Sequence, residues 1–305
     1  MALIQEKVRQ RYAKIALNCN SNCCCMSVLF ILLLGIALFF YWQYQQNFAC
    51  TNKQIVFYDR FDRHGLIQQA HSMSESSDPN WWVGSGAYVY LNNGTASTIQ
   101  GRLAKDDPFR VGYASSKNSA DTDFGFRPQN IFRIVNRNIW SGDYTEELYF
   151  KYLKYNNVTA SHKNLGATDG VSLMINYQDE DNLYYVGLRA DGFSEIKKKI
   201  GGEYSINENP VQVFPGVYKP YDNLIPQDRW TGLRALVEHK QDKFGKDLIY
   251  IAMYVDKQGD GSWMYVTSFL DQDRIFKEGH TGIRTDFMDV QFKDFQVNPR
   301  NNSCV

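Results

Sequence analysis

The chain has 305 residues, with Lys+Arg at 33 against Asp+Glu at 33, so no excess charge suits it to a polyanion and the balance argues against nucleic acid as a partner. At 44% hydrophobic, 15% aromatic and 22% charged, with 8 Pro and 22 Gly, the composition excludes disorder and collagen-like structure and indicates a packed globular chain.

Residues 1–25 read as a short cytoplasmic segment carrying Lys7, Arg9, Arg11 and Lys14. No charged residue follows until Lys53, and Met26 to Tyr44 reads MSVLFILLLGIALFFYWQY. A helix over this stretch matches the ~30 Å hydrocarbon core of a bilayer, and Tyr41, Trp42 and Tyr44 at its end suit the headgroup layer. The spacing predicts a transmembrane helix over 26–44, uncleaved because the run is longer than the apolar core of a signal peptide and lies far from the N-terminus. The lipid bilayer is then a partner through this one helix. The basic cluster before the span places the N-terminus in the cytoplasm, and the C-terminal part, beyond a linker at 45–54, outside the cell.

Cys23, Cys24 and Cys25 stand at the inner edge of that span, as targets for S-acylation or simply as thiols at a bilayer edge. Cys50 and Cys304 bracket the outer part, and a disulfide between them is the economical pairing in an oxidising compartment. Asn93, Asn157 and Asn301 head N-glycosylation sequons, all beyond the span.

From Ile55 onward the chain reads as strands. Ile55 to Phe61, Gly86 to Leu91, Gly170 to Tyr177, Leu183 to Ala190, Phe193 to Ile200, Gly232 to Glu238, Leu248 to Val255, Met264 to Leu270, His280 to Thr285 and Asp289 to Val297 are rich in β-branched and aromatic residues and bounded by Gly, Asn, Asp or Pro. Val171, Leu173, Ile175 and Tyr177 alternate with more polar neighbours, the pattern of a half-buried antiparallel strand. Helical periodicity is confined to the segment before the span and a short turn near Gln272 to Phe276, and Asp106 to Asn164 is the least regular stretch. Many short strands without crossover helices predict an all-β, antiparallel two-sheet jelly-roll sandwich over 55–298, with a tail at 299–305, preceded by the one transmembrane helix.

Asp181-Asn182-Leu183-Tyr184-Tyr185-Val186-Gly187-Leu188, Phe193-Ser194-Glu195-Ile196-Lys197-Lys198 and Asp228-Arg229-Trp230-Thr231-Gly232-Leu233-Arg234 resemble the concanavalin A-like lectin/glucanase superfamily, in particular its laminin-G-like members. Val56 to Asp62, Ile249 to Asp256, Gly279 to Thr285 and Val290 to Val297 continue the likeness, which is weakest from about 64 to 165. The resemblance implies binding of carbohydrate or glycoconjugate, glycans or glycoproteins as partners in surface recognition or adhesion, and a structural Ca2+ between the first and last strands. Asp59 and Asp294 are the matching metal positions; calcium takes six to eight oxygens, so backbone or water would complete its shell.

Sugar recognition uses aromatic faces with hydrogen-bonding side chains around them. Trp81 and Trp82, followed by Trp140, Tyr184 and Tyr218, are the candidates, each weighed against a role in the core; Trp230 and Trp263 are assigned to packing. No catalytic residue is identified. A retaining glucanase needs two carboxylates about 5 Å apart, which alternate positions of one strand would supply, and no strand shows that pattern. Asp179-Glu180-Asp181 reads as a solvated turn, and the five histidines show no metal-ligand spacing. The expectation is a non-catalytic binding domain, with a polysaccharide-cleaving enzyme of the same fold, or a structural surface protein without a sugar ligand, as alternatives.

Overall fold

Alternation of apolar and polar residues at period two forces each strand to offer one face to a core and the other outward. The computed structural model describes residues 57–156, 166–206, 210–219 and 222–300, all within the compact unit 54–301. Its strands are β1 (Phe57–Asp59), β2 (His64–Gln68), β3 (Trp81–Ser85), β4 (Tyr88–Asn92), β5 (Ala96–Thr98), β6 (Ile131–Ser141), β7 (Tyr144–Tyr155), β8 (Gly170–Asp179), β9 (Asn182–Arg189), β10 (Ser194–Ile200), β11 (Glu203–Ile206), β12 (Trp230–Gln241), β13 (Asp247–Asp256), β14 (Met264–Asp271), β15 (Glu278–Asp286) and β16 (Met288–Pro299). They pair antiparallel into a nine-stranded sheet, ordered β14-β13-β12-β7-β16-β5-β4-β2 with β1 also on β16, and a seven-stranded sheet, ordered β11-β10-β9-β8-β15-β6-β3. The expected all-β, two-sheet antiparallel sandwich is therefore present.

The inner faces meet in one apolar cluster. Val171, Leu173 and Ile175 of β8 and Tyr184, Val186 and Leu188 of β9 face Leu233, Ala235 and Val237 of β12 and Val290, Phe292, Phe295 and Val297 of β16. Each large side chain so buried contributes roughly 1.5–3 kcal/mol. Turn chemistry sets the registers. Asn93 and Gly94 between β4 and β5 have φ of 40° and 97°, the paired left-handed conformation for which Asn-Gly is suited. At the β8–β9 turn the Asp179 carboxylate accepts hydrogen bonds from the Asp181 amide at 2.8 Å and from the Asn182 side chain at 2.9 and 3.0 Å. Asp294, with φ of 51°, marks the register shift of β16 against β7 between Lys293 and Gln296.

Several expectations need correction. The stretch from Asp106 to Asn164, read as irregular, contains β6 and β7, of 11 and 12 residues. Their pattern is masked because Glu146 takes a core position on β7, and on β6 the polar Asn136 is buried while the apolar Val135 belongs to the outer cluster. The same stretch holds α1 (Pro108–Ala114), where the Asp107 carboxylate caps the Phe109 amide at 2.8 Å and proline stands in the first turn. The helical turn expected near Gln272 to Phe276 is absent; Asp271 accepts from the Asp273 amide at 3.1 Å and holds the chain in a bend.

The single-pass localisation, with a cytoplasmic N-terminus and an extracellular C-terminal domain, is also corrected: among the described residues no helix is long and apolar enough to cross a membrane. The α-helix α1 has 7 residues, about 10 Å at the helical rise. The segments 1–25, 26–44 and 45–54, with Cys23, Cys24, Cys25 and Cys50, lie outside the described residues, as do Asn157, Asn301 and Cys304.

One charge-bearing group lies in the core itself. Glu146 is fully buried; one carboxyl oxygen accepts from the Gly282 amide at 3.2 Å and the other has no hydrogen-bond partner. Burial pushes its pKa well above the ordinary glutamate value, and the amide only partly offsets this. The folded state therefore keeps a proton that the unfolded chain releases. The contribution of this group to stability is fully present below the ordinary glutamate range and is lost as the pH rises from there toward the raised folded-state value. Glu146→Gln should raise stability at about pH 8 by roughly 1–3 kcal/mol and flatten that pH dependence; urea denaturation at a series of pH values checks this.

Candidate functional site

Since both inner faces are sealed, a ligand could meet the sheets only at the two outer faces and the rims. On the nine-stranded sheet, Tyr88, Tyr90 and Asn92 point outward from β4 while Val89 and Leu91 point into the core. The register places Tyr90 opposite Ser97 of β5, Ser97 opposite Gln291 of β16, Gln291 opposite Lys151 of β7, and Lys151 opposite Trp230 of β12. These five side chains share one row across the sheet. At the usual strand spacing it runs about 19 Å. Ser97 is small and lies between the longer Tyr90 and Gln291, which leaves a trough.

A groove of about 680 Å³ occupies that end of the row. Tyr88, Tyr90, Asn92, Ser97 and Gln291 line it from the sheet, and Gln100, Arg102 and Asp107 from the connection to α1. Tyr88 and Tyr90 stand edge to face, ring centroids 5.2 Å apart, and Tyr90 is 41% exposed. Burial first, then the hydrogen bond with Tyr90, raises the pKa of Tyr88, so the phenol keeps its proton and remains able to donate. Arg102 lies over the Phe126 ring at 4.2 Å and 3.4 Å from Asp123, while capping of α1 fixes Asp107. The groove thus combines an aromatic wall with amides, a hydroxyl and charges of both signs.

Beyond the groove the same face continues in cations stacked on aromatic rings. Lys151 and Lys293 sit 4.6 and 4.8 Å from the centre of the Trp230 ring, and Arg234 lies 4.0 Å from that of Trp263. The two tryptophans assigned to packing are therefore half-buried on the outer face. Glu147 is held by Arg234. Burial acts to raise the Asp256 pKa, but the amides of Gly261, Gln258 and Gly259 outweigh it and hold the carboxyl below its ordinary value.

The aromatic residues singled out in the sequence do not come together. Trp81 is fully buried, its ring 4.8 Å from Phe295 and its indole N–H donating to Asp59 at 2.7 Å. Trp140 and Tyr184 are also buried, Tyr184 donating to Asp271 at 2.7 Å. Neither these two nor Trp81 offers an open face. Tyr218 packs half-buried against the core. Trp82 is half-buried on the outer face of the other sheet, its N–H donating to the Ala70 carbonyl at 2.9 Å. Asn93 stands exposed in the β4–β5 turn, beside the groove. Sequence reasoning missed Tyr88, Tyr90, Gln291 and Lys151, although Tyr-x-Tyr-x-Asn on a strand already marks an outward face bearing rings and an amide.

Calcium at Asp59 and Asp294 does not fit the side chains. The Asp59 carboxylate accepts from the Phe61 amide at 2.7 Å and the Trp81 indole at 2.7 Å, and pairs with Arg63 at 2.9 Å. Arg63 also pairs with Asp78 at 2.9 Å, and Asp294 accepts from the Tyr58 hydroxyl at 2.8 Å. At Asp59 the Arg63 guanidinium already supplies the counter-charge. Among the described residues no group of three His, Cys, Asp or Glu could hold a metal ion.

No protein-family profile and no curated protein matches the chain. Among solved structures it is similar to the carbohydrate-binding module CBM66 from Bacillus subtilis, at TM-score 0.37 and 16% identity over 55% of this chain and 81% of that one. It is also similar to the GH43 protein BlXynB from Bacillus licheniformis, at TM-score 0.44 and 10% identity, covering 80% of this chain but only 39% of that one. A third is the exoplasmic/lumenal domain of VIP36 in its Ca2+/Man-bound form, at TM-score 0.45 and 11% identity over 79% of this chain and 91% of that one. The two-sheet architecture described above is of the kind that the concanavalin A-like resemblance implies. At this level of similarity these structures bear on neither ligand nor site.

With Asp59 committed to Arg63 and Trp81, added calcium or a chelator should leave the melting temperature unchanged. Asp59→Ala should lower stability by roughly 2–4 kcal/mol, because it strands buried donors; calorimetric melts of both proteins check the two outcomes.

Proposed function

We propose that the protein binds carbohydrate without transforming it, through the outer face of the nine-stranded sheet. The row Tyr90, Ser97, Gln291, Lys151 and Trp230 carries this reading. Tyr90 supplies a ring on which the apolar face of a pyranose packs, and Gln291, Asn92 and Gln100 bond its hydroxyls. Lys151 continues the polar contacts toward Trp230. Such a surface suits a short neutral oligosaccharide laid across the strands, and it does not depend on calcium.

The alternative of a polysaccharide-cleaving enzyme needs two carboxylates free to act as acid and as base or nucleophile. On this face Glu147 is tied to Arg234 and Asp256 to backbone amides, which favours the binding reading.

A panel of neutral oligosaccharides titrated calorimetrically into the full chain tests it. Saturable binding is expected, weakened about tenfold by Tyr90→Ala, as expected from losing roughly 1.4 kcal/mol, and several-fold by Gln291→Ala. Native affinity in both variants, or no binding of any oligosaccharide by the folded chain, would rule out this face.

A further inference from the structure

The outer face of the seven-stranded sheet holds an arrangement that the groove does not use. Arg133 of β6 stands directly opposite Arg284 of β15, and Arg284 opposite Ser172 of β8. Cross-strand neighbours of like charge repel unless each has a counter-charge. Arg284 has one, its guanidinium gripping both oxygens of Asp286 at 3.1 and 2.7 Å.

Arg133 is held differently. Its side chain is only 9% exposed, with the guanidinium 6.0 Å from the centre of the Trp82 ring and 5.8 Å from that of Tyr177. Its Nε is buried without a hydrogen-bond partner. Both terminal nitrogens reach a single oxygen of Glu180, at 3.4 Å each. A guanidinium fork ordinarily takes a carboxylate through two parallel bonds at about 2.7–2.9 Å, and one so far out of water needs such a partner. The Glu180 side chain is 57% exposed on the β8–β9 turn. Asp179 and Lys199 hold the turn's backbone, Lys199 donating to the Glu180 carbonyl at 2.9 Å. The glutamate side chain can therefore swing aside without disturbing the turn.

We propose that Arg133 anchors a second ligand site, for the carboxylate of an acidic saccharide, and that Glu180 is a placeholder which the ligand's carboxylate displaces. The half-buried Trp82 ring beside the guanidinium supplies an apolar surface for the sugar ring, which selects a carboxylate-bearing sugar over a bare inorganic anion. This site lies on the opposite sheet from the neutral-sugar groove and stands or falls separately from it.

The test is calorimetric titration of the full chain with glucuronic acid, glucose and inorganic sulfate at two ionic strengths. Glucuronic acid should bind, more weakly at high salt, and more tightly than sulfate. Arg133→Gln should weaken its binding at least about tenfold, as should Arg133→Lys, which keeps the charge but loses the fork. Glu180→Gln should tighten it about threefold or more by removing the competitor. Glucuronic acid affinity unchanged in both Arg133 variants, or unchanged or weakened in Glu180→Gln, would overturn the proposal. Equal binding of sulfate and glucuronic acid would overturn the saccharide assignment, and equal binding of glucose and glucuronic acid would overturn the role of the carboxylate. Should Arg133→Gln fail to fold, Arg133→Lys and Glu180→Gln still decide.

Discussion

The apolar faces of the nine- and seven-stranded sheets must be buried against each other, because no long helix among the described residues covers either one, and this requirement fixes where every other side chain can go. Phe292, Phe295 and Val297 of β16 meet Leu173, Ile175 and Val186 of the facing sheet in one cluster. Trp81 belongs to it as well, held by the Asp59 carboxylate, which in turn is held by Arg63. That carboxylate shows how a charge can be kept in a nearly dry place: it is surrounded by donors before any ion could compete. Glu146 shows the other solution, remaining protonated.

Sealing the core leaves two outer faces of different chemistry. The nine-stranded sheet presents tyrosine rings, amides and lysines in a row with a trough over Ser97, so its polar groups face outward and are open to hydroxyls. The seven-stranded sheet packs Val135, Met174, Tyr177, Leu183 and Tyr185 beneath longer charged side chains. Its charges are mostly paired, Arg284 with Asp286, Lys197 with Glu195 and Lys199 with Asp181. The loosely held Arg133 contrasts with this pattern.

The fold was legible where alternation was clean. Val171, Leu173 and Ile175 of β8, and the apolar run of β16, announced their strands, and Asp179-Glu180-Asp181 announced its turn. β6 and β7 were not legible, because Glu146 is a buried charged residue on β7, and on β6 the polar Asn136 is buried while the apolar Val135 belongs to the outer cluster, which breaks the period. The candidate site was less legible than the fold. Trp81 and Trp82 are adjacent in sequence and therefore point to opposite faces of β3, one into the core and one outward, so only one could have served. Trp230, set aside as packing, lies on the outer face under two lysines.

By itself the sequence determined the secondary structure of its well-alternating segments and the two-sheet class, since these depend on side chains two to four residues apart. Only the tertiary structure decided which residues share a surface. Tyr90 and Gln291 lie about two hundred positions apart in the chain, and become neighbours because β5 pairs with both β4 and β16. Arg133 and Arg284 are opposed only because β6 and β15 pair. Sheet registers are non-local, fixed by burial of the whole inner face at once, and no local pattern encodes them.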